Sequence, residues 1–125
     1  MPEHSADTAI YHICRREEWR AAKTAGAYGG SSQDAADGFI HFSSAAQLVK
    51  SAAKHRAGQD GLVLLRVDPV KLGTALKWEA SRGGHLFPHL YGLLPVAAVI
   101  QAYDLTLGPD GRHVFPADLN LVEAD

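Results

Sequence analysis

The run Leu62–Val67 (LVLLRV) constrains the fold more than any other stretch of the chain. Apolar residues follow one another around a single arginine, and Asp68 and Pro69 close the segment. That length and continuity predict a central strand belonging to the core. A chain of 125 residues that is 46% hydrophobic can bury such a strand without disulfides, so one domain is expected.

The neighbouring segments predict what packs around it. Ala9–Cys14 (AIYHIC) reads as a first strand, β-branched and aromatic apart from its inserted histidine. Arg15–Ala25 is helix-favouring, sets Trp19 and Ala22 on one face and stops at Gly26. Residues 27–38, rich in Gly, Ser and Asp, read as a loop long enough to act as a lid. Phe39–Phe42 (FIHF) predicts a short strand, with Ser43 or Ser44 as N-cap of a helix running towards Ala57. Leu76–Ala80 predicts another strand, and residues 81–95 a Gly- and Pro-punctuated connection. Val96–Leu107 predicts a long strand, returned through a turn at Pro109, Asp110 and Gly111 towards Phe115. The expected organisation is α+β over residues 9–116, with a flexible segment at 1–8 and a tail over 117–125.

Composition narrows the chemistry. The net charge of −2 gives no general attraction to phosphate backbones and argues against a nucleic-acid partner. No apolar run approaches the roughly 20 residues of a membrane helix, and residues 1–8 are polar and acidic rather than signal-like, so a cytoplasmic protein without a membrane partner is expected. Cys14 is the only cysteine. It can form no internal disulfide and reads as a buried structural thiol.

The sharpest signal is a set of histidines, His12, His41, His85 and His89, in ordered-looking segments beside Gly, Ser, Tyr or Pro. Imidazoles titrate near neutrality, and several on converging strands make an acid–base or ligand-orienting site. The structural alternative is that His12 and His41 are half-buried strand residues bonded to backbone. Glu79, next to Trp78, is a candidate proton acceptor or hydroxyl-binding group. Tyr91 and His89 in HLFPHLYG are candidates to wall a pocket for a flat heterocycle. Ser43 and Ser44 suit either a ligand's amide or phosphate or simple helix capping. A metal centre has weaker support, because no HExxH pattern exists and His85 and His89 lie in a Gly/Pro-interrupted segment. No GxGxxG or GxxxxGK[ST] phosphate loop is present.

The ordered set IYHI, a helix containing Trp19, GFIHFSS, LKWE and FPHLYG resembles a small bacterial family known as domain of unknown function nine-five-two, over Ile10–Leu107. That family is grouped by fold with the ADP-ribosyltransferase-like superfamily. The resemblance therefore implies small, split β-sheets with two main helices and a cleft for NAD. Tyr11 and His12 resemble the Tyr-His start of the site strand in RNA 2'-phosphotransferases, and His41, Phe42 and Ser43 their His-Leu-Ser strand end. The chain departs from those enzymes at Ile13, where they carry glycine, and has only Arg66 and Arg82 as distant candidates for phosphate contacts. In mono-ADP-ribosyl transfer, to which the resemblance also extends, a late-strand glutamate orients the nucleophile or ribose; the resemblance implies Glu79 as its substitute, since the final strand offers only Gln101 and Asp104.

Together these imply a nucleotide-type ligand, with NAD as a possible substrate for ADP-ribosyl transfer or glycohydrolysis. The implied catalytic residues are His12, His41 and Glu79, and the ligand-binding residues Tyr11, Ser43, Ser44, His89 and Tyr91. His12 would orient ribose or phosphate, Ser43 an amide or phosphate, Tyr91 would stack on the ring, and Glu79 would hold a hydroxyl as charge develops on ribose. Two other classes stay open, a non-catalytic metabolite-binding module and a histidine-based metal-dependent enzyme.

Overall fold

The computed structural model describes residues 9–80, 84–116 and Leu119. The expected flexible segment at 1–8, Arg82, and all of the expected tail but Leu119 lie outside them. Three antiparallel sheets form the architecture. The largest has the order β10 (His113–Val114), β9 (Val99–Leu107), β5 (Leu62–Val67), β1 (Ile10–Arg15), β4 (Ser43–Ser44). A second sheet pairs β2 (Ala27–Tyr28) with β8 (Leu94–Pro95), and a third has the order β3 (Ile40–His41), β7 (Leu86–Leu90), β6 (Leu76–Ala80). The helices are α1 (Arg16–Ala25), the short α2 (Ser32–Asp37) and α3 (Ala45–His55). The molecule is thus mixed α+β, with two main helices.

β5 is the middle strand of its sheet, between β1 and β9, and both its faces are covered. Val63, Leu65 and Val67 join a core with Ile10, Cys14, Trp19 and Phe42. Leu62 and Leu64 join a second core with Tyr11, Leu48, Leu105 and Leu119. Alternation along the strand sends successive side chains to opposite faces, so a strand with a core on each side reads as an unbroken apolar run. α1 buries Trp19 and Ala22, and Gly26 ends it in the left-handed conformation (φ 90°), its N–H bonded to Ala22 O.

Three sequence expectations need correction. Residues 27–38 are not a free lid: they contain β2 and α2, anchored by buried Tyr28 and Asp34. The reason is local, because Ser31 caps α2 while the Asp34 carboxylate returns to the Ser31 N–H, a reciprocal capping box in Gly/Ser-rich surroundings. The connection 81–95 contains two strands, β7 and β8. Pro88 sits inside β7, where its carbonyl accepts the Phe42 N–H at 3.0 Å, and its lacking N–H falls where β3 has ended. The expected strand Phe39–Phe42 is divided: β3 joins the small sheet, and the chain then crosses to β4 in the large one. Ser44, not Ser43, is the N-cap of α3. The turn at Gly108–Gly111 returns into β10 as the sequence suggested.

Candidate functional site

The small sheet supplies the rows that build the site. His41 lies opposite His89, and His89 opposite Lys77. Directly opposed residues share a face, and so do residues two apart on one strand. Phe39, His41, His89, Tyr91, Lys77 and Glu79 therefore belong to one face. Ile40 and Leu90 point to the other face, into the core. Phe39 stacks on His89 with ring centroids 4.1 Å apart, and lies 4.6 Å from His41 and 5.3 Å from Tyr91. The His41 and His89 rings meet edge-on at 5.5 Å.

Glu79 is fixed at the edge of this aromatic surface. Its Oε1 accepts both the Tyr91 hydroxyl at 2.7 Å and His89 Nδ1 at 2.8 Å. These bonds, that of Tyr91 foremost, hold the Glu79 carboxyl below its ordinary range and push the Tyr91 hydroxyl up. Glu79 is 37% exposed and Tyr91 40%, so an oriented anion and an aromatic edge both face solvent.

His41 is held from two sides. Nδ1 lies 2.5 Å from Asp34 Oδ1 and Nε2 3.0 Å from Asp37 Oδ2. Asp34 accepts from Nδ1 and Asp37 stands at ion-pair distance from Nε2, so two carboxylates favour the protonated, imidazolium form of the ring. The hydrogen bond to Asp34 raises its pKa against the opposing effect of burial. Asp34 is 3% exposed and also accepts the backbone N–H groups of His41 and Ser31 and the Ser31 hydroxyl. Burial alone would push its carboxyl up, but the His41 bond and these donors bring it down to about 2.

His12 lies behind this layer, 5% exposed. Nδ1–H donates to the His41 carbonyl at 2.6 Å, which makes Nε2 the acceptor for the Tyr28 hydroxyl at 2.7 Å. Desolvation lowers its pKa, so the ring is neutral. Asp34 Oδ2 stands 3.8 Å from Nε2, too far for a hydrogen bond. In this arrangement His12 positions His41 and Tyr28, while the surface a ligand meets belongs to other residues.

The structure thus joins His12, His41, His89, Glu79 and Tyr91 through direct contacts and the bridging Asp34. It does not bring Tyr11 and Ser43 to them. Tyr11 neighbours His12 on β1 and so points to the opposite sheet face, into the second core. Ser43 is opposite Tyr11 in register and bonds Ser51 Oγ at 3.0 Å. Ser44 serves α3, its N–H bonded to Gln47 Oε1 at 3.0 Å. His85 is exposed before β7. Gln101 is opposite Arg66, and Asp104 pairs with Arg16 at 3.2 Å. Sequence reading missed Asp34, Asp37, Tyr28 and Phe39. Only Asp34 carried a signal, as the fourth residue of the capping pattern Ser31-Ser32-Gln33-Asp34.

Among the described residues no group of three or more His, Cys, Asp or Glu is arranged to hold a metal ion, and no helix is long and apolar enough to cross a membrane. A cavity of about 510 Å³, lined by Arg15, Arg16, Arg20, Gln59 and Asp60 among others, shares no residue with the histidine cluster.

Fold and site together define a mixed α+β protein with antiparallel sheets and an imidazole- and carboxylate-bearing aromatic face. The chain belongs to the family described as Protein of unknown function (DUF952), whose model matches residues 13–102. It is similar to the crystal structure of protein CC0527 from Caulobacter crescentus at 51% identity, over 91% of this chain and 100% of that one, with a TM-score of 0.86. The solution NMR structure of CC0527 is 53% identical, over 83% of this chain and 90% of that one, with a TM-score of 0.75. No curated protein matches the chain.

Proposed function

We propose that the face carrying Phe39, His41, Glu79 and Tyr91 binds a nucleotide-type ligand on an ADP-ribosyltransferase-like fold, with NAD as substrate for ADP-ribosyl transfer or glycohydrolysis. The observation that carries the reading is Glu79, whose Oε1 is fixed by both Tyr91 and His89 beside a stacked aromatic surface. Phe39 and Tyr91 offer flat surfaces for a heterocycle, and the Glu79 carboxylate accepts a ribose hydroxyl. As the bond from ribose C1' to the nicotinamide nitrogen breaks, its electron pair leaves with nicotinamide and positive charge develops on the ribose. A preorganised carboxylate at that edge stabilises the charge. Water or an acceptor then adds its oxygen or nitrogen lone pair to C1', and its proton passes to bulk water. His41, held as an imidazolium, supplies a cation for the pyrophosphate once Asp37, 37% exposed, gives way. His12 is a positioning residue here. The setting we assign is the cytoplasm, in keeping with the unpaired Cys14.

The test is nicotinamide release from NAD, followed by chromatography with and without cell lysate as a source of acceptor. Glu79→Gln keeps the shape of the side chain and removes its charge. The expected result is unchanged NAD affinity with turnover reduced about 10²-fold or more. Equal turnover in both proteins removes Glu79 from the mechanism. A second reading, a non-catalytic binding module, draws on His12 and His41, whose ring nitrogens are all engaged by protein groups. NAD-induced thermal stabilisation with no release under any condition supports that module. Absence of both stabilisation and release rejects NAD as the ligand.

A further inference from the structure

β6 is the edge strand of the small sheet, paired among the described residues with β7 alone. The bond from Tyr91 N–H to Ala75 O, at 2.8 Å, fixes the alternation of this ladder. Residues 75, 77 and 79 turn their backbone N–H and C=O groups towards β7. Leu76, Trp78 and Ala80 turn theirs outward. This agrees with Pro88, which has no N–H to give, standing opposite Trp78. The central side chain of this outer edge, Trp78, is 47% exposed. An edge of this kind is a template for another strand unless something covers it.

We propose that β6 pairs antiparallel with β6 of a second copy of this chain, about a two-fold axis through Trp78, and that Lys77 of the second copy thereby joins the Glu79 site. Charge selects this register. With the axis at Trp78, Lys77 stands opposite Glu79 of the other copy, twice over. An axis at Lys77 sets lysine against lysine, and one at Glu79 sets glutamate against glutamate, both destabilising. The hydrogen-bond pattern agrees independently. Trp78 faces Trp78 as an outward, hydrogen-bonded pair, and Leu76 faces Ala80 likewise. Lys77 and Glu79 then fall in the non-hydrogen-bonded positions, where opposed side chains come closest. The interface is isologous and closed, as a two-fold dimer requires. Lys77 and Glu79 share the face of His89 and Tyr91, so each copy adds an ammonium to the other's Glu79 cluster. The other face buries the two Trp78 rings together. A strand of five residues makes a small interface, so the dimer is weak and concentration-dependent. This inference does not rest on the NAD reading.

Sedimentation of the wild-type protein should show a dimer growing with concentration and weakening with salt. Tryptophan emission should shift to the blue alongside it, since Trp78 is exposed and Trp19 already buried. Lys77→Glu and Glu79→Lys should each weaken the dimer at least about tenfold. An equimolar mixture of these two variants restores every opposite-charge pair, so a heterodimer should form as tightly as the wild-type dimer. Circular dichroism checks that each variant is folded. Should Glu79→Lys not fold, Trp78→Pro decides instead, because it removes the outward N–H and leaves the β6–β7 ladder whole. It should sediment as a monomer. A wild type that stays monomeric up to its solubility limit, a dimer unaffected by Lys77→Glu and Trp78→Pro, or folded single variants whose mixture associates no better than either alone overturns the proposal.

Discussion

Replacing Asp34 with asparagine tests the core of the site, because it keeps the side chain's shape and removes the charge that holds His41. Asp34 is buried and accepts from the His41 ring, the His41 and Ser31 backbone and the Ser31 hydroxyl. A carboxyl that ordinarily titrates at 3.8 and is held at about 2 contributes about 2 kcal/mol of stability at neutral pH. The asparagine amide also turns N–H groups towards donors on at least one side, costing about another 1 kcal/mol. The expected loss is about 3 kcal/mol, or roughly 10 °C in Tm for a domain of this size. The sign of the pH dependence sharpens the test. Asp34 has a lowered folded pKa, so its contribution is present above 3.8 and lost as pH falls towards about 2. His41 has a raised folded pKa, so its contribution is present below 6.5 and lost as pH rises through the raised value. Both shifts report the same contact and count once. The penalty of Asp34→Asn should therefore be greatest between about pH 4 and 6.5 and shrink on either side. His12, lowered by burial, destabilises the fold below 6.5 in both proteins and largely cancels in the difference. Urea unfolding of the pair from pH 3 to 9 measures this. A penalty under about 1 kcal/mol, or one flat across the range, refutes the reasoning.

Tyr28→Phe removes the hydroxyl that donates to His12 Nε2 and leaves a buried acceptor unpaired, so it should cost about 1–3 kcal/mol in chemical denaturation; a neutral result would show that the bond contributes nothing. Gly30→Ala should destabilise by about 2 kcal/mol or more, because Gly30 has φ +96° and an added Cβ would stand 2.8 Å from Asp34 Cβ and 3.2 Å from Ile40 Cγ1. Wild-type thermal stability in that variant would contradict the packing of α2 against β3. Cys14 is buried, with its thiol pushed up to about 12 by desolvation, so a thiol reagent should label it only after unfolding; rapid labelling of the folded protein at neutral pH would refute the burial.

Local pattern by itself determined the elements whose signal lies within a few residues. β5 was legible as an apolar run, α1 through its Trp19/Ala22 face and Gly26 stop, and the β9–β10 return through Pro109–Gly111. These depend on backbone preference and on burial of a contiguous stretch. The histidines and Glu79 were legible as chemistry-bearing residues for a similar reason: few side chains titrate near neutrality or orient a ligand. What tertiary structure decided is which of them meet. His12 and Tyr11 are neighbours in sequence, yet the two-residue period of β1 sends one towards Asp34 and the other into the opposite core. Asp34 and Tyr28 lay in a stretch whose composition reads as loop. Their roles arise from partners seven and sixteen residues away, a distance at which no local rule operates. β7 was hidden by Pro88, whose missing N–H goes unpenalised only because β3 stops beside it. The sequence carries the groups, and the crossing of the chain from the small sheet to the large one at Phe42 puts His12 behind His41 and leaves Glu79 facing solvent.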